Sequence, residues 1–183
     1  VRVSICHGDL AYARYPVCVG HYQGDTQVSA EQRLDANLGG ALSDRLRLDI
    51  YPGRLGTWEI FIAPKESSKP AGALVIGLGQ VGELSPGALS AAMSRVLLDY
   101  ALQVATWNDD RFGARGTIRR ARISSLLIGT GAGGFTVRDS VITILLAVKT
   151  ANERLAELTP PARVCIDELE LLEIFEDIAV QAA

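Results

Sequence analysis

Residues 123–135, Ile-Ser-Ser-Leu-Leu-Ile-Gly-Thr-Gly-Ala-Gly-Gly-Phe, constrain this chain more than any other stretch. A continuous apolar run enters a glycine-crowded loop, and from Val137 the chain reads as a long apolar helix. A buried strand turning through glycine into a helix gathers unpaired backbone N–H groups at one point, which favours an anion such as phosphate. The competing reading is that glycine merely lets a strand turn sharply into a buried helix. At Gly129 to Phe135 both readings stand.

The rest of the chain supplies what such a unit needs. Val1 to Cys6 alternates apolar and polar residues as a half-buried strand does, and a turn at His7-Gly8-Asp9 leads to a second strand over 15–22. Ser29 and Gln32 have capping-box spacing ahead of Ala30, Leu34 and Leu38. Gly39-Gly40 breaks that helix, and a second short one is expected from Ala41 to Leu48. Thr57 to Ile62 reads as a strand, and Ala73 to Leu78 as a strand buried on both faces. Ser85-Pro86 starts a helix whose Leu89, Met93, Val96, Tyr100 and Val104 share one side. Thr136 and Asp139 are spaced to cap the helix after the glycine loop. Its portion from Val141 to Val148 is apolar almost all round and predicts heavy burial up to Pro160-Pro161. A last strand from Val164 passes into an acidic C-terminal helix.

Strands alternating with helices indicate an α/β domain covered on both faces. At 183 residues and 48% hydrophobic content, residues 1–183 suffice for one domain with a full core. A net charge of −3 gives no global electrostatic case for nucleic acid or an anionic membrane. Cys6, Cys18 and Cys165 lie in apolar strand-like runs and read as reduced buried thiols, with the cytoplasm as the default compartment. The chain opens on Val1, and we expect a domain cut from a longer protein.

Two stretches match G-x-G-x-x-G after a strand, Gly77 to Gly82 and Gly129 to Gly134. Neither has an acid some 20 residues on at the end of the next strand, so a nicotinamide or flavin site does not fit. At Gly77 to Gly82 the turn reading is favoured. No Gly-Lys-Ser/Thr is present, which excludes a Walker-type loop. His7 and His21, with Asp9 and Asp25 near, lack helical ligand spacing and read as ordinary loop residues. Arg111, Arg115, Arg119, Arg120 and Arg122 read as a solvated loop leading into an edge strand, where charge discourages edge pairing. The acidic end, Asp167 to Asp177, reads as a solvated face or a docking surface.

Residues 123–135 resemble the second phosphate loop of macro domains, with Gly131, Gly134 and Phe135 on the family pattern; Gly133 stands for an aromatic and Thr136 for the proline. Gly8-Asp9-Leu10 is similar to the family's opening Gly-Asp-Ile, whose aspartate reads the adenine amino group. Gly39-Gly40-Ala41 is similar to the glycine run beside the first phosphate loop. The resemblance implies a three-layer α/β/α domain with a mixed central sheet. It implies a ligand pocket of Asp9, Gly39, Gly40, Gly129, Gly131, Gly133, Gly134 and Phe135, taking ADP-ribose or a related nucleotide. The asparagine that hydrolytic macro domains carry after their second strand is replaced by Gly20-His21-Tyr22-Gln23, which argues against catalysis. In detail, Ala73 to Gly79 is closer to the N-terminal domain of leucine aminopeptidases, and similar modules occur in large bacterial effector proteins beside CHAT proteases. The function expected first is therefore a non-catalytic regulatory or docking module of such a protein, partnered by neighbouring domains or another protein. The alternative is an ADP-ribose-binding or ADP-ribosyl-processing domain.

Overall fold

In the computed structural model, residues 1–63, 69–107, 118–160 and 162–183 are described. Six strands form one sheet: β1 (Arg2–His7), β2 (Val17–His21), β3 (Trp58–Ile62), β4 (Gly72–Gly77), β5 (Arg119–Leu126) and β6 (Val164–Glu173). Their spatial order is β1-β6-β5-β2-β4-β3, every neighbouring pair parallel except the antiparallel β3–β4 edge. The helices are α1 (Ser29–Asn37), α2 (Ala41–Arg47), α3 (Pro86–Thr106), α4 (Val137–Leu155) and α5 (Glu176–Ala182). The expected mixed α/β sheet is present, and because five strands are parallel, their carboxyl ends share one rim.

Side-chain alternation along the central strands builds two cores. Val17, Val19, Ala73 and Val75 pack with Leu34 of α1 and Leu42 of α2 on one face. Cys18, Leu74 and Ile76 point the other way, against Leu89, Met93 and Leu97 of α3 and Ile144 of α4. β4 is buried along its whole length, as its unbroken apolar text requires. The Ser85 hydroxyl accepts from Ala88 N–H ahead of Pro86, which starts α3 where expected. No helix among the described residues is long and apolar enough to cross a membrane.

Four expectations are corrected. Ser29 does not cap α1: at φ 28° it lies outside the extended region an N-cap needs, and Val28 takes that position with no side-chain acceptor. The Gln32 amide donates to the Gln27 carbonyl oxygen instead. β6 continues to Glu173, so the C-terminal helix is confined to its last residues. α4 is buried on one side only, and Ile142, Leu145 and Leu146 are exposed. β5 is interior to the sheet, with β6 and β2 as its neighbours.

The arginines of β5 are tolerated there because β6 answers them. Arg120 and Arg122 pair with Asp167 at 3.3 and 3.5 Å, and Arg119 is buried; Arg111 and Arg115 lie outside the described residues. Glu170, 2% exposed, accepts from the Arg14 backbone N–H at 3.0 Å, Arg14 Nε at 2.6 Å and the Ser124 hydroxyl at 2.7 Å. Glu168 accepts from the Tyr15 hydroxyl and pairs with Arg2. The front of the acidic stretch is thus a partnered sheet face, and the solvated-face reading fails there.

This face carries a pH signature. The Tyr15 hydrogen bond, the largest influence, holds the Glu168 carboxyl below its ordinary 4.5 against the opposing cost of desolvation, with the Arg122, Arg2 and Arg14 charges adding to the lowering. Burial, then Glu168, pushes the Tyr15 phenol above 10.0. A lowered acid stabilises above its unfolded value and loses that contribution as pH falls through the folded one. A raised phenol stabilises below its unfolded value and loses it as pH rises through the folded one. Tyr15→Phe should therefore lower the urea midpoint most between about pH 5 and 9, with the difference shrinking toward pH 3 and above pH 10. A pH-independent difference would contradict this.

Candidate functional site

The carboxyl ends of β1, β6 and β5 open into a cavity of about 500 Å³, a size typical of small-molecule sites. Its lining includes Asp9 from the turn after β1, Ile174 after β6, and Leu127 and Thr130 after β5. Ser29 and Arg33 at the start of α1 close one side. Asp9 holds its place twice over. It accepts from Ala11 N–H at 2.8 Å, starting a single 3-10 turn over Leu10–Tyr12, and pairs with Arg33 at 3.1 Å. His7 is not part of the lining, but its Nε2 donates at 3.2 Å to the carbonyl oxygen of Ile174, which is.

The glycine loop stands beside this cavity and folds back on itself. Phe135 N–H donates to the Gly129 carbonyl oxygen at 3.0 Å, and Gly134 N–H to that of Gly131 at 3.1 Å. Gly129 has φ 92°, and a Cβ there would stand 2.6 Å from the Phe135 ring, so glycine is required both for conformation and for that contact. The backbone N–H groups of Gly129 through Gly133 have no acceptor in the described structure. Five successive amides are therefore left for solvent or a ligand.

The free donors belong to the loop, not to a helix end as expected. Asp139 closes the α4 N-terminus in a full capping box with Thr136. The same happens at Gly39-Gly40: both residues turn the chain with φ 69° and 88°, and the Asp35 carboxylate takes the Leu42 and Ser43 N–H groups of α2 at 2.8 and 3.1 Å. This pair does not line the Asp9 cavity. It lies beyond the far end of α1, about 13 Å of helix from Ser29. The site expected from sequence thus divides. Asp9 and the loop that carries Thr130 meet at the rim, whereas Gly39 and Gly40 form a separate turn closed by a carboxylate.

Gly77 to Gly82 is a packing turn. A Cβ at Gly77 would strike the Arg54 carbonyl oxygen, Gly79 N–H donates to Gly53, and the Gly79 carbonyl oxygen accepts from Gln23.

Sequence reading missed a buried polar cluster at the end of β2. Glu31, 4% exposed, accepts from His21 Nδ1 at 3.0 Å and from the Tyr51 hydroxyl at 2.7 Å. The Tyr51 ring packs edge-on to His21 at 4.8 Å. Burial first, then the Glu31 charge, pushes the Tyr51 phenol far above its ordinary range. The available signal was the i, i+10 pairing of His21 with the acid in the first turn of α1, which has no motif. Among the described residues no group of three His, Cys, Asp or Glu is placed to hold a metal ion. Burial raises the Cys18 thiol to about 12 and raises that of Cys165, which suits packing rather than nucleophilic chemistry. Cys6 and Cys165 are only half-buried, against expectation.

Solved structures share this fold. The chain superposes on the Trypanosoma brucei macrodomain in complex with ADP-ribose with a TM-score of 0.64 and 15% identity, over 98% of this chain and 67% of that one. The fold is the macrodomain fold. The Oceanobacillus iheyensis macrodomain with MES bound gives 0.58 at 13% identity, over 97% of this chain and 86% of that one. The macrodomain of Mycobacterium tuberculosis DarG gives 0.57 at 12% identity, over 93% and 97%. Against the Trypanosoma brucei structure with ADP, this chain spans 66% of the other's length. No protein-family model matches the chain, and no curated protein matches it. Within the macrodomain fold, the Asp9 turn and the Gly129 loop occupy the carboxyl rim of the parallel strands, where open α/β sheets bind ligands.

Proposed function

We propose that the chain binds ADP-ribose or a related nucleoside diphosphate and does not hydrolyse it. The observation carrying this reading is the run of five acceptor-free amides, Gly129 to Gly133, beside a cavity that also holds Asp9. Amides gathered in a turn suit the oxygens of a diphosphate. In this reading the diphosphate lies on the loop and the adenosine extends across β5 and β6, so that Asp9 accepts from the adenine amino group. Ser29, a non-glycine residue at positive φ on the cavity edge, is the kind of strained position that collects at ligand sites. The macrodomain of like fold solved in complex with ADP-ribose supports the same ligand class. Binding without hydrolysis follows from the end of β2, where the resemblance calls for asparagine and this chain has Gly20-His21-Tyr22-Gln23, with His21 held by Glu31.

Calorimetric titration tests the assignment. ADP-ribose should bind in the micromolar range, and Asp9→Ala should weaken it about tenfold, the worth of one charge-assisted hydrogen bond. Because Asp9 also caps the 3-10 turn, the variant's melting point is measured alongside. No heat from ADP-ribose, ADP or ATP at millimolar concentration would end the ligand reading.

A second reading places the domain as a regulatory or docking module of a larger bacterial protein, such as a peptidase or a CHAT-type effector. The likeness of Ala73 to Gly79 to leucine aminopeptidase N-terminal domains and the apolar outer side of α4 support it. The two readings are compatible, since a bound nucleotide can report to a docked partner.

A further inference from the structure

A second cavity, of about 540 Å³, lies between the end of β2 and the start of β3. It shares no lining residue with the Asp9 cavity. His21 lines it and is 4% exposed, with Glu31 behind the ring and outside the lining. His21 Nδ1 stands 3.0 and 3.1 Å from the two Glu31 carboxylate oxygens, which fixes the proton on that nitrogen and the orientation of the ring. Nε2, on the other edge of the ring, has no partner in the described structure yet is not sealed from solvent. In the neutral imidazole this nitrogen is an acceptor. A buried ring held from behind thus presents a bare lone pair to the cavity.

The remaining polar side chains of the lining fall into two groups. The Tyr51 hydroxyl donates to Glu31, the Thr57 hydroxyl to the Arg54 carbonyl oxygen and the Trp58 indole N–H to Asp99, so these three are spent. Asp25, Asp49 and Arg54 make no ion pair in the described structure, and the Gln23 amide, donor and acceptor alike, makes no hydrogen bond. The unspent charge is two carboxylates against one guanidinium. Leu46 and Ile50, both exposed, add apolar wall beside them.

We propose that this cavity binds a primary ammonium carried on an alkyl chain, the group that a polyamine or a lysine side chain supplies. The buried Nε2 lone pair accepts one N–H, the exposed Asp25 and Asp49 carboxylates balance the charge, and the methylenes lie on Leu46 and Ile50. A buried acceptor left unpaired is costly, and an ammonium, with three donors and no acceptor, satisfies it. An anion would meet two carboxylates for one guanidinium and a second lone pair at Nε2. Because the two cavities have no residue in common, this site stands or falls independently of nucleotide binding.

Imidazole ¹⁵N spectra test it, with His7, the chain's other histidine, as internal reference. At low salt spermidine should move the His21 Nε2 resonance, saturating below about 1 mM, and leave His7 where it was. Tetramethylammonium, which carries the charge without an N–H, should leave His21 unmoved, and so should phosphate. Asp25→Asn with Asp49→Asn should weaken spermidine about fivefold or more, with a melting curve confirming that the variant is folded. A capped lysine that matches spermidine assigns the site to a protein side chain, and spermidine alone assigns it to a free polyamine. A His21 signal unmoved at about 10 mM spermidine, one moved as far by tetramethylammonium or phosphate, or a double variant that binds as before would each overturn the proposal.

Discussion

Gly131→Glu is expected to abolish ADP-ribose binding while leaving the protein as stable as before. A Cβ at Gly131 meets no heavy atom within 4 Å, and its backbone is not in the left-handed region, so a side chain fits there without strain. The carboxylate it brings stands among the five free amides of Gly129 to Gly133. It competes for the donors that a diphosphate needs and repels the diphosphate charge. The two effects together should cost about a hundredfold or more in affinity, about 3 kcal/mol, with the melting point unchanged within about 2 °C. Calorimetry and a thermal melt on the same sample check both halves. Gly133 would not separate them, because a Cβ there stands 2.7 Å from the Gly129 carbonyl oxygen and 2.8 Å from the Tyr22 hydroxyl and would deform the loop itself. Unchanged affinity in Gly131→Glu would remove the loop from the site.

Glu31→Ala should destabilise the fold by about 3 kcal/mol. Its carboxylate serves His21 and Tyr51 at once, His21 and Glu31 are buried and Tyr51 half-buried, and truncation leaves a buried imidazole N–H without an acceptor and a phenol without its carboxylate partner. At this chain length the loss corresponds to about 6–12 °C in melting temperature. Glu31→Gln keeps the volume and one acceptor and should lose less than half as much. Urea denaturation with an unchanged slope would show that the difference lies in stability rather than in the compactness of the denatured state. A loss below about 1 kcal/mol for Glu31→Ala would mean that solvent reaches His21 and Tyr51 freely and that the cluster is not structural.

The elements that could be read from the chain alone are those set by local chemistry. Ser85-Pro86 and the Thr136–Asp139 box define their helix starts without help from the rest of the fold. Ala73 to Leu78 announced a buried strand because nothing in it is polar. Failures came where a distant residue decides. Arginines in β5 look like an edge until Asp167 of β6 is placed beside them. Ser29 has a capping side chain but not the backbone conformation that would let it act. α4 reads as apolar all round, but text alone does not tell which side the sheet covers.

The site divided along the same line. Asp9 and the residue 129–135 loop were legible because strand ends that run parallel must share a rim. Gly39-Gly40 misled, since a glycine pair looks the same at either end of a helix. Only the path of α1 shows that it turns the chain away from the rim, under the Asp35 carboxylate. The pairing of His21 with Glu31 depends on how α1 packs on β2, and no spacing rule encodes it.

One titration decides whether the residue 129–133 turn is what holds the ligand. Adding ADP-ribose to the ¹⁵N-labelled protein should move the amide resonances of Gly129, Gly131 and Gly133 progressively, saturating at the concentration that calorimetry reports. If ADP-ribose saturates the protein and those three resonances stay where they were, the diphosphate sits elsewhere and the account of the site is wrong.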